Sequence, residues 1–355
     1  MKAITNSNDI GQYFSKKYLI ISVSLSLLSL FALIYFTYTP GLFEHLRLKR
    51  LPGLLIAFAV AFLRVWFSAA KIRFLSEQRL GWAASYRVVL IWDLASSFTP
   101  SAIGGAPLAT YAMTRERLTL GQSSAMLLYG IMLDQLLLVF MIPTLLILGL
   151  FYTVVPVSVG LLGQGTMLMM YTFLLCYASL LIYGVFRNPS ILKKAVNIVF
   201  QLPFLNRYKE KIAKEAETLE TTSHELRKKP FKFVLKAFAL STMAWLTRAI
   251  LPTIVVLSFL PADEFLSFLR SMAMALASMF MPTPGGSGGV EGLFAIFQGP
   301  LISNKGFIGI SVFMWRLISF YSTVAAGMMV LSWYLKNKVI EKLPEKKASE
   351  VNLFQ

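Results

Sequence analysis

One stretch, Phe280-Met-Pro-Thr-Pro-Gly-Gly-Ser-Gly-Gly-Val-Glu-Gly292, limits what this chain can fold into more than any other. It sets two prolines, five glycines and a carboxylate between apolar runs too short or too broken to cross a bilayer. In hydrocarbon an irregular backbone leaves amides and carbonyls unpaired, at a cost of roughly several kcal/mol each. Such a segment persists only where it is packed in protein or lines a polar cavity. Glycine and proline therefore mark a site.

That argument presupposes a membrane, and the composition supplies one. Of 355 residues 56% are hydrophobic and 14% charged, and no Asp, Glu, Lys or Arg occurs from Gln135 to Phe186. This is the pattern of an all-α polytopic membrane protein. In a soluble chain a formal charge of +17 would suggest nucleic acid, but much of it lies between apolar runs. The positive-inside bias accounts for it there, and no nucleic-acid partner is expected. With Cys176 as the single cysteine, no intrachain disulfide is possible. The run 18–38 has no small-residue cleavage site behind it and reads as a retained first span.

Six runs are long enough to cross as helices, at about 18–38, 53–70, 122–150, 167–186, 233–259 and 307–335. Two more, at about 88–113 and 265–300, are broken midway, the first by Phe98-Thr-Pro-Ser-Ala-Ile-Gly-Gly-Ala-Pro107 and the second by the glycine-rich stretch. Both are expected to be re-entrant hairpins. With a cytoplasmic N-terminus and each broken run returning to its own side, Lys16, Lys17, Arg73, Arg79, Arg87, Arg115, Arg117, the basic segment 187–232 and the Lys-rich tail share the cytoplasmic face. Both termini are expected there, and only Arg47, Lys49 and Arg50 count against the scheme. The first hairpin then enters from the cytoplasm and the second from outside. Each opens Phe-x-Pro and continues to paired glycines, which suggests an inverted-topology repeat whose half-sites meet near the midplane. The chain reads as one membrane domain over 1–338, with an amphipathic cytoplasmic segment at 187–232. A tail follows over 339–355, and its end, 349–355, resembles the remnant of a tag.

Arg64, Asp93, Asp134, Arg248, Arg270, Glu291 and Arg316 fall inside apolar runs. Each costs about 2.5–3.5 kcal/mol there unless paired or hydrated. Arg316, beside Trp315, and Arg248, a turn after Trp245, lie too deep to snorkel, whereas Arg64 is close enough to the cytoplasmic end to do so and Arg270 belongs near the outer surface. One reading is that each guanidinium simply pairs with a carboxylate to hold the bundle. The other is that guanidinium in excess of carboxylate, beside two flexible breaks, forms an anion site suited to phosphate through bidentate hydrogen bonds. Helix N-termini after Gly105 and Gly289 would aim further donors the same way.

Catalytic patterns are missing. His45 and His224 are the only histidines, so neither a metal site nor a His-based triad is expected. The glycine-rich stretch is no P-loop, because no Lys-Ser/Thr follows it. Glu291 with Asp134 is the only intramembrane pair open to two-carboxylate chemistry. No cofactor is expected, nor enzymatic activity.

Three segments carry a resemblance: Thr99-Pro-Ser-Ala-Ile-Gly-Gly-Ala-Pro107 with Arg115 downstream, Pro282-Thr-Pro-Gly-Gly-Ser-Gly-Gly-Val-Glu291, and Trp315-Arg316-Leu317. Over nearly its whole length the chain resembles the lysylphosphatidylglycerol synthase transmembrane-region family, also called the UPF0104 group. An acidic residue commonly follows the first Gly-Gly pair in that family, and here the position is Ala106. The family includes the membrane domain of the bacterial multiple peptide resistance factor, regarded as a flippase for aminoacylated phosphatidylglycerol and fused to a cytosolic aminoacyl transferase. The short run after the last span leaves no room for that enzyme. The resemblance implies a lipid translocator or polar-lipid binder of a prokaryotic inner membrane. It also implies a site at Glu291, Arg316, Pro282, Pro284, Gly285, Gly286, Gly288 and Gly289, followed by Gly104 and Gly105.

The combined expectation is a translocase for a phosphate-bearing membrane phospholipid, aminoacylated or not. Arg316 and Arg248 would hold the phosphate, with Trp315, Glu291 and Asp134 beside them. The alternatives are a secondary transporter of a small organic anion and a non-transporting accessory subunit that binds lipid for a separately encoded lipid-modifying enzyme. A homo-oligomer is a further option.

Overall fold

The computed structural model describes residues 16–38, 51–99, 105–156, 218 and 221–334, together with residues 165, 168, 169, 171–173, 175, 176, 179 and 183. Gly104, the basic residues after the first span, most of the expected span at 167–186, the amphipathic segment up to 220 and the tail lie outside the described residues. What is described is helical, with no strand among the described residues.

Five helices are long and apolar enough to cross a membrane: α1 (Lys16–Thr37), α2 (Leu51–Leu75), α5 (Leu120–Leu148), α6 (Phe231–Phe259) and α9 (Gly306–Tyr334). Between them lie four shorter ones, α3 (Trp82–Phe98), α4 (Ala106–Arg115), α7 (Glu264–Ser278) and α8 (Gly289–Gln298). At about 1.5 Å per residue the ten-residue helices α4 and α8 reach only half-way through a bilayer. Their starts follow from local chemistry. Pro107 occupies the first turn of α4, where its missing N–H is not needed. Glu291 reaches back to the amide of Gly288 at 2.8 Å to cap α8.

Helices α2 and α6 run antiparallel along their whole lengths. Phe74 stacks on Phe233 with ring centroids 4.6 Å apart, and at the other end Gly53 abuts Ser258 so closely that a Cβ would sit 2.2 Å from its hydroxyl. Lys229 adds an ion pair to Glu77 at 2.7 Å. These contacts define two ends of the bundle. At the end marked by Glu77 and Lys229, α3 and α4 form a hairpin whose base is closed by Arg87 and Glu116, with Nε to Oε1 at 2.7 Å. At the opposite end, α7 and α8 form a second hairpin, closed at its base by Ser267 donating to Gln298 at 2.9 Å. The tips meet: the amide of Gly285 donates to the carbonyl of Thr99 at 3.4 Å. Gly285 sits at φ 61°, and a Cβ there would stand 2.7 Å from the carbonyl oxygen of Ser97, so a side chain is excluded by both conformation and space.

Each hairpin has its own apolar core. Around α3 and α4 pack Val65 to Leu75 of α2, Met126 to Leu133 of α5, Ala237 of α6 and Phe320 and Val324 of α9. Around α7 and α8 pack Ala57 of α2, Leu138 to Leu145 of α5, Leu251 to Phe259 of α6 and Phe307 to Trp315 of α9. On each of the four long helices the chain passes from one core to the other within a few residues. The polar site occupies that boundary.

Candidate functional site

Every long helix that crosses the boundary carries a charge there: Arg64 on α2, Asp134 on α5, Arg248 on α6 and Arg316 on α9, with Asp93 on the short α3. Three ion pairs result. Arg64 grips Asp93 with both terminal nitrogens, at 2.6 and 3.3 Å. Lys71 reaches both oxygens of Asp134 at 2.8 Å. Arg316 donates through Nε to Glu291 at 2.8 Å, with side-chain exposures of 5% and 0%. Glu291 is held on both oxygens, since Ser26 donates to the same oxygen at 2.6 Å and Gly288 to the other at 2.8 Å. Tyr321 holds Ser26 in turn at 2.9 Å.

Arg248 breaks the pattern. Among the described residues no carboxylate lies within ion-pairing distance of it, and its nearest polar-aromatic contact is the Trp245 ring, 5.5 Å from the guanidinium carbon. Although it sits mid-helix, its side chain is exposed, and the space it is exposed to is internal. Pro252, four residues on, has no N–H for the carbonyl of Arg248, so the backbone at this point is also under-used.

Two cavities of about 190 Å³ each share walls at Arg64, Asp93, Ser96, Arg248 and Met279. One runs among Lys71, Asp134 and Gln135 toward the end of the bundle that holds Glu77. The other opens between the hairpin tips, past Thr99, Gly285, Gly286, Trp315 and Arg316. A single water needs roughly 10–15 Å³ by this kind of measure, so each chamber has room for on the order of a dozen. Four cations against three carboxylates make the boundary net positive.

The sequence-predicted residues divide sharply. Arg248, Arg316, Trp315, Asp134, Gly285 and Gly286 line the cavities. Glu291 lines neither: its carboxylate is consumed in fastening the second hairpin to α1 and α9, an answer to pairing rather than to a guest. Pro282, Pro284, Gly288 and Gly289 likewise line neither, and shape the turn behind the wall; the carbonyl of Pro284 accepts from Ser22 at 3.0 Å. Gly105 lets α4 approach α3, where a Cβ would meet the carbonyl of Trp92 at 2.4 Å. Arg270, expected near the outer surface, is 5% exposed and spends its donors on Thr153 and on the carbonyl of Phe297. Arg64, for which the sequence left both snorkelling and pairing open, is paired at the boundary.

The model of the lysylphosphatidylglycerol synthase TM region matches residues 19–327. The chain belongs to this family. A UPF0104 membrane protein of Archaeoglobus fulgidus is 23% identical over 325 residues, covering 87% of this chain and 95% of the relative. The family match spans α1 through the cavity-lining part of α9, so both hairpins and the boundary layer lie within it.

Several functional positions escaped sequence reasoning. Lys71 lies 63 residues from Asp134, and nothing local in the sequence announces the pair. Ser22 and Ser26, one turn apart on α1, carry a faint signal: two hydroxyls on one face of an otherwise apolar span. The Ser and Thr side chains around the second cavity had no signal, because they come from three different helices.

Proposed function

We propose that the protein moves a phosphate-bearing lipid between leaflets, its headgroup passing through the two chambers while the acyl chains stay in the bilayer. The carrying observation is Arg248, a guanidinium without a carboxylate partner among the described residues, exposed to both cavities where two hairpins meet. An unbalanced cation at mid-depth in a membrane protein is costly and draws an anion, and guanidinium matches phosphate through paired hydrogen bonds. Arg316 stands on the wall of the second chamber, its Nη2 without a hydrogen-bond partner. In this reading α3–α4 and α7–α8 are re-entrant hairpins entering from opposite faces, two halves of an inverted-topology repeat. Six full spans include the run at 167–186. The end holding Arg73, Arg79, Arg115 and Lys229 is cytoplasmic, as are both termini, in a prokaryotic inner membrane. No chemistry is assigned to the site: the protein is read as a translocator, not an enzyme. Its family name supports a lipid-related role in the membrane.

Reconstitution tests the reading. In proteoliposomes carrying acyl-labelled anionic lipids, the purified full chain is expected to speed exchange between leaflets well above protein-free vesicles. Arg248→Gln should reduce that rate by at least tenfold without loss of folded protein. Rates equal to empty vesicles across anionic, zwitterionic and aminoacylated lipids would end the proposal.

A further inference from the structure

The chamber at the hairpin tips is lined by both guanidinium and hydroxyl groups. Seven hydroxyl side chains line it; Ser96 makes no hydrogen bond and Ser271 accepts from Gln298, and the other five come from three elements: Ser97 and Thr99 at the C-terminal end of α3, Ser278 at the end of α7, and Ser319 and Thr323 one turn apart on α9. Each has already given its proton to a carbonyl of its own helix. Ser97 donates to Leu94 at 2.6 Å, Thr99 to Ala95 at 2.9 Å, Ser278 to Ala275 at 2.7 Å, Ser319 to Trp315 at 2.7 Å and Thr323 to Phe320 at 2.9 Å. A hydroxyl has one proton and two lone pairs, so these five turn only acceptors toward the chamber. Guanidinium groups, by contrast, only donate.

An occupant that satisfies both sides must bring an anionic oxygen for Arg248 and Arg316 and O–H or N–H donors for the hydroxyl wall. A phosphodiester with no donor beside it would set lone pairs against lone pairs. A trimethylammonium headgroup has no donor to offer. Leaving buried polar atoms unmatched is what makes such sites discriminate strongly between an analogue that has the group and one that lacks it.

We propose that the chamber selects headgroups by hydrogen-bond donors placed beside the phosphate, favouring hydroxylated or primary-amine headgroups over donor-free ones of the same charge. Ser97, Thr99, Ser278, Ser319 and Thr323 are the specificity residues. The inference rests on the lipid-headgroup reading above and adds a criterion that the arginines alone cannot supply.

Two pairs of short-chain lipids isolate that criterion at constant charge: dihexanoyl phosphatidylethanolamine against phosphatidylcholine, and dihexanoyl phosphatidylglycerol against phosphatidylmethanol. Binding to the purified full chain, read by native mass spectrometry, is expected to favour the donor-bearing member of each pair by about tenfold or more, as two hydrogen bonds at roughly 3- to 10-fold each imply. The variant S319A/T323V is expected to shrink the preference to about threefold or less while leaving affinity for the donor-free members unchanged. S97A/S278A serves as a second test, with melting temperature confirming that each variant folds. Equal binding within both pairs overturns the inference whatever the transport assay gives, and a preference untouched in both variants overturns the residue assignment. Donor preference in a protein that moves no lipid would uphold the selection rule and sink translocation alone. Soluble glycerol phosphate competing as well as the lipid would uphold the rule and reassign its source to a free anion.

Discussion

At the tip of α7–α8, Glu291 accepts from Ser26, Gly288 and Arg316, and Ser22 ties the Pro284 carbonyl to α1. At the tip of α3–α4, Gly105 leads into Ala106 and Pro107, with no acid to receive such donors. The polar contacts that tie that hairpin to α9 lie at its base instead, where Arg87 holds both oxygens of Glu116 at 2.7 and 2.9 Å and Tyr334 donates to Glu116 at 2.7 Å. Trp333 covers the same guanidinium, 4.5 Å from its ring centre. Two hairpins on one plan are therefore fastened at different heights. Helix α9 does the fastening in both cases, through Arg316 to the tip of the second and through Tyr334 to the base of the first. A π-turn over Leu317–Tyr321 lies between those two points, a departure that often marks functional positions in helices. A tip clamp fixes the wall of the chamber; a base clamp leaves the other tip to packing and to its bond with Gly285.

The largest expected effect tests the tip clamp. Arg316→Gln leaves Glu291, 0% exposed, without its cation, and removing one member of a buried pair costs about 3–5 kcal/mol. Thermal unfolding in detergent should show a marked fall, and the double variant R316Q/E291Q should recover most of it. Additive losses would mean that the pair is not coupled.

Next comes the contact between tips. Gly285→Ala puts a Cβ at positive φ and 2.7 Å from the Ser97 carbonyl, a strain of about 1–3 kcal/mol. Hydrogen exchange should quicken around Thr99 as well as around Gly285. A change confined to α7–α8 would show that the tips do not support one another.

At the base of the first hairpin, Tyr334→Phe removes a single hydrogen bond, about 0.5–1.5 kcal/mol. Exchange should rise in α4 and leave α8 unchanged. Equal loosening of both hairpins would break the distinction drawn between them.

The smallest effect near neutrality is that of pH. Burial pushes the Glu116 carboxyl up, but the hydrogen bonds from Arg87 and Tyr334 outweigh it and hold the group below its ordinary value of 4.5. A carboxyl lowered on folding stabilises fully above the unfolded value, and that contribution fades as pH falls through the folded one. Acidification below about pH 4.5 should therefore loosen the base of α3–α4, with E116Q removing the pH response.

Much of the fold was legible in the chain. Apolar runs broken by Gly and Pro announced two short-helix hairpins, because irregular backbone in hydrocarbon needs a special setting. The depth of Arg248 and Arg316 was equally plain, since charge inside an apolar run is rare enough to stand out. Pairing was not. Glu291 and Arg316 are 25 residues apart, Lys71 and Asp134 are 63 apart, and Ser26 and Glu291 are 265 apart, with no local pattern linking any of them.

By itself, the sequence determined that this is a helical membrane protein with charge at mid-depth and two flexible breaks, because hydrophobicity and backbone hydrogen bonding act locally along the chain. Tertiary structure alone decided which arginine is left over. Charge balance at the boundary of two cores depends on which side chains arrive within a few ångströms of one another, and that is a property of packing.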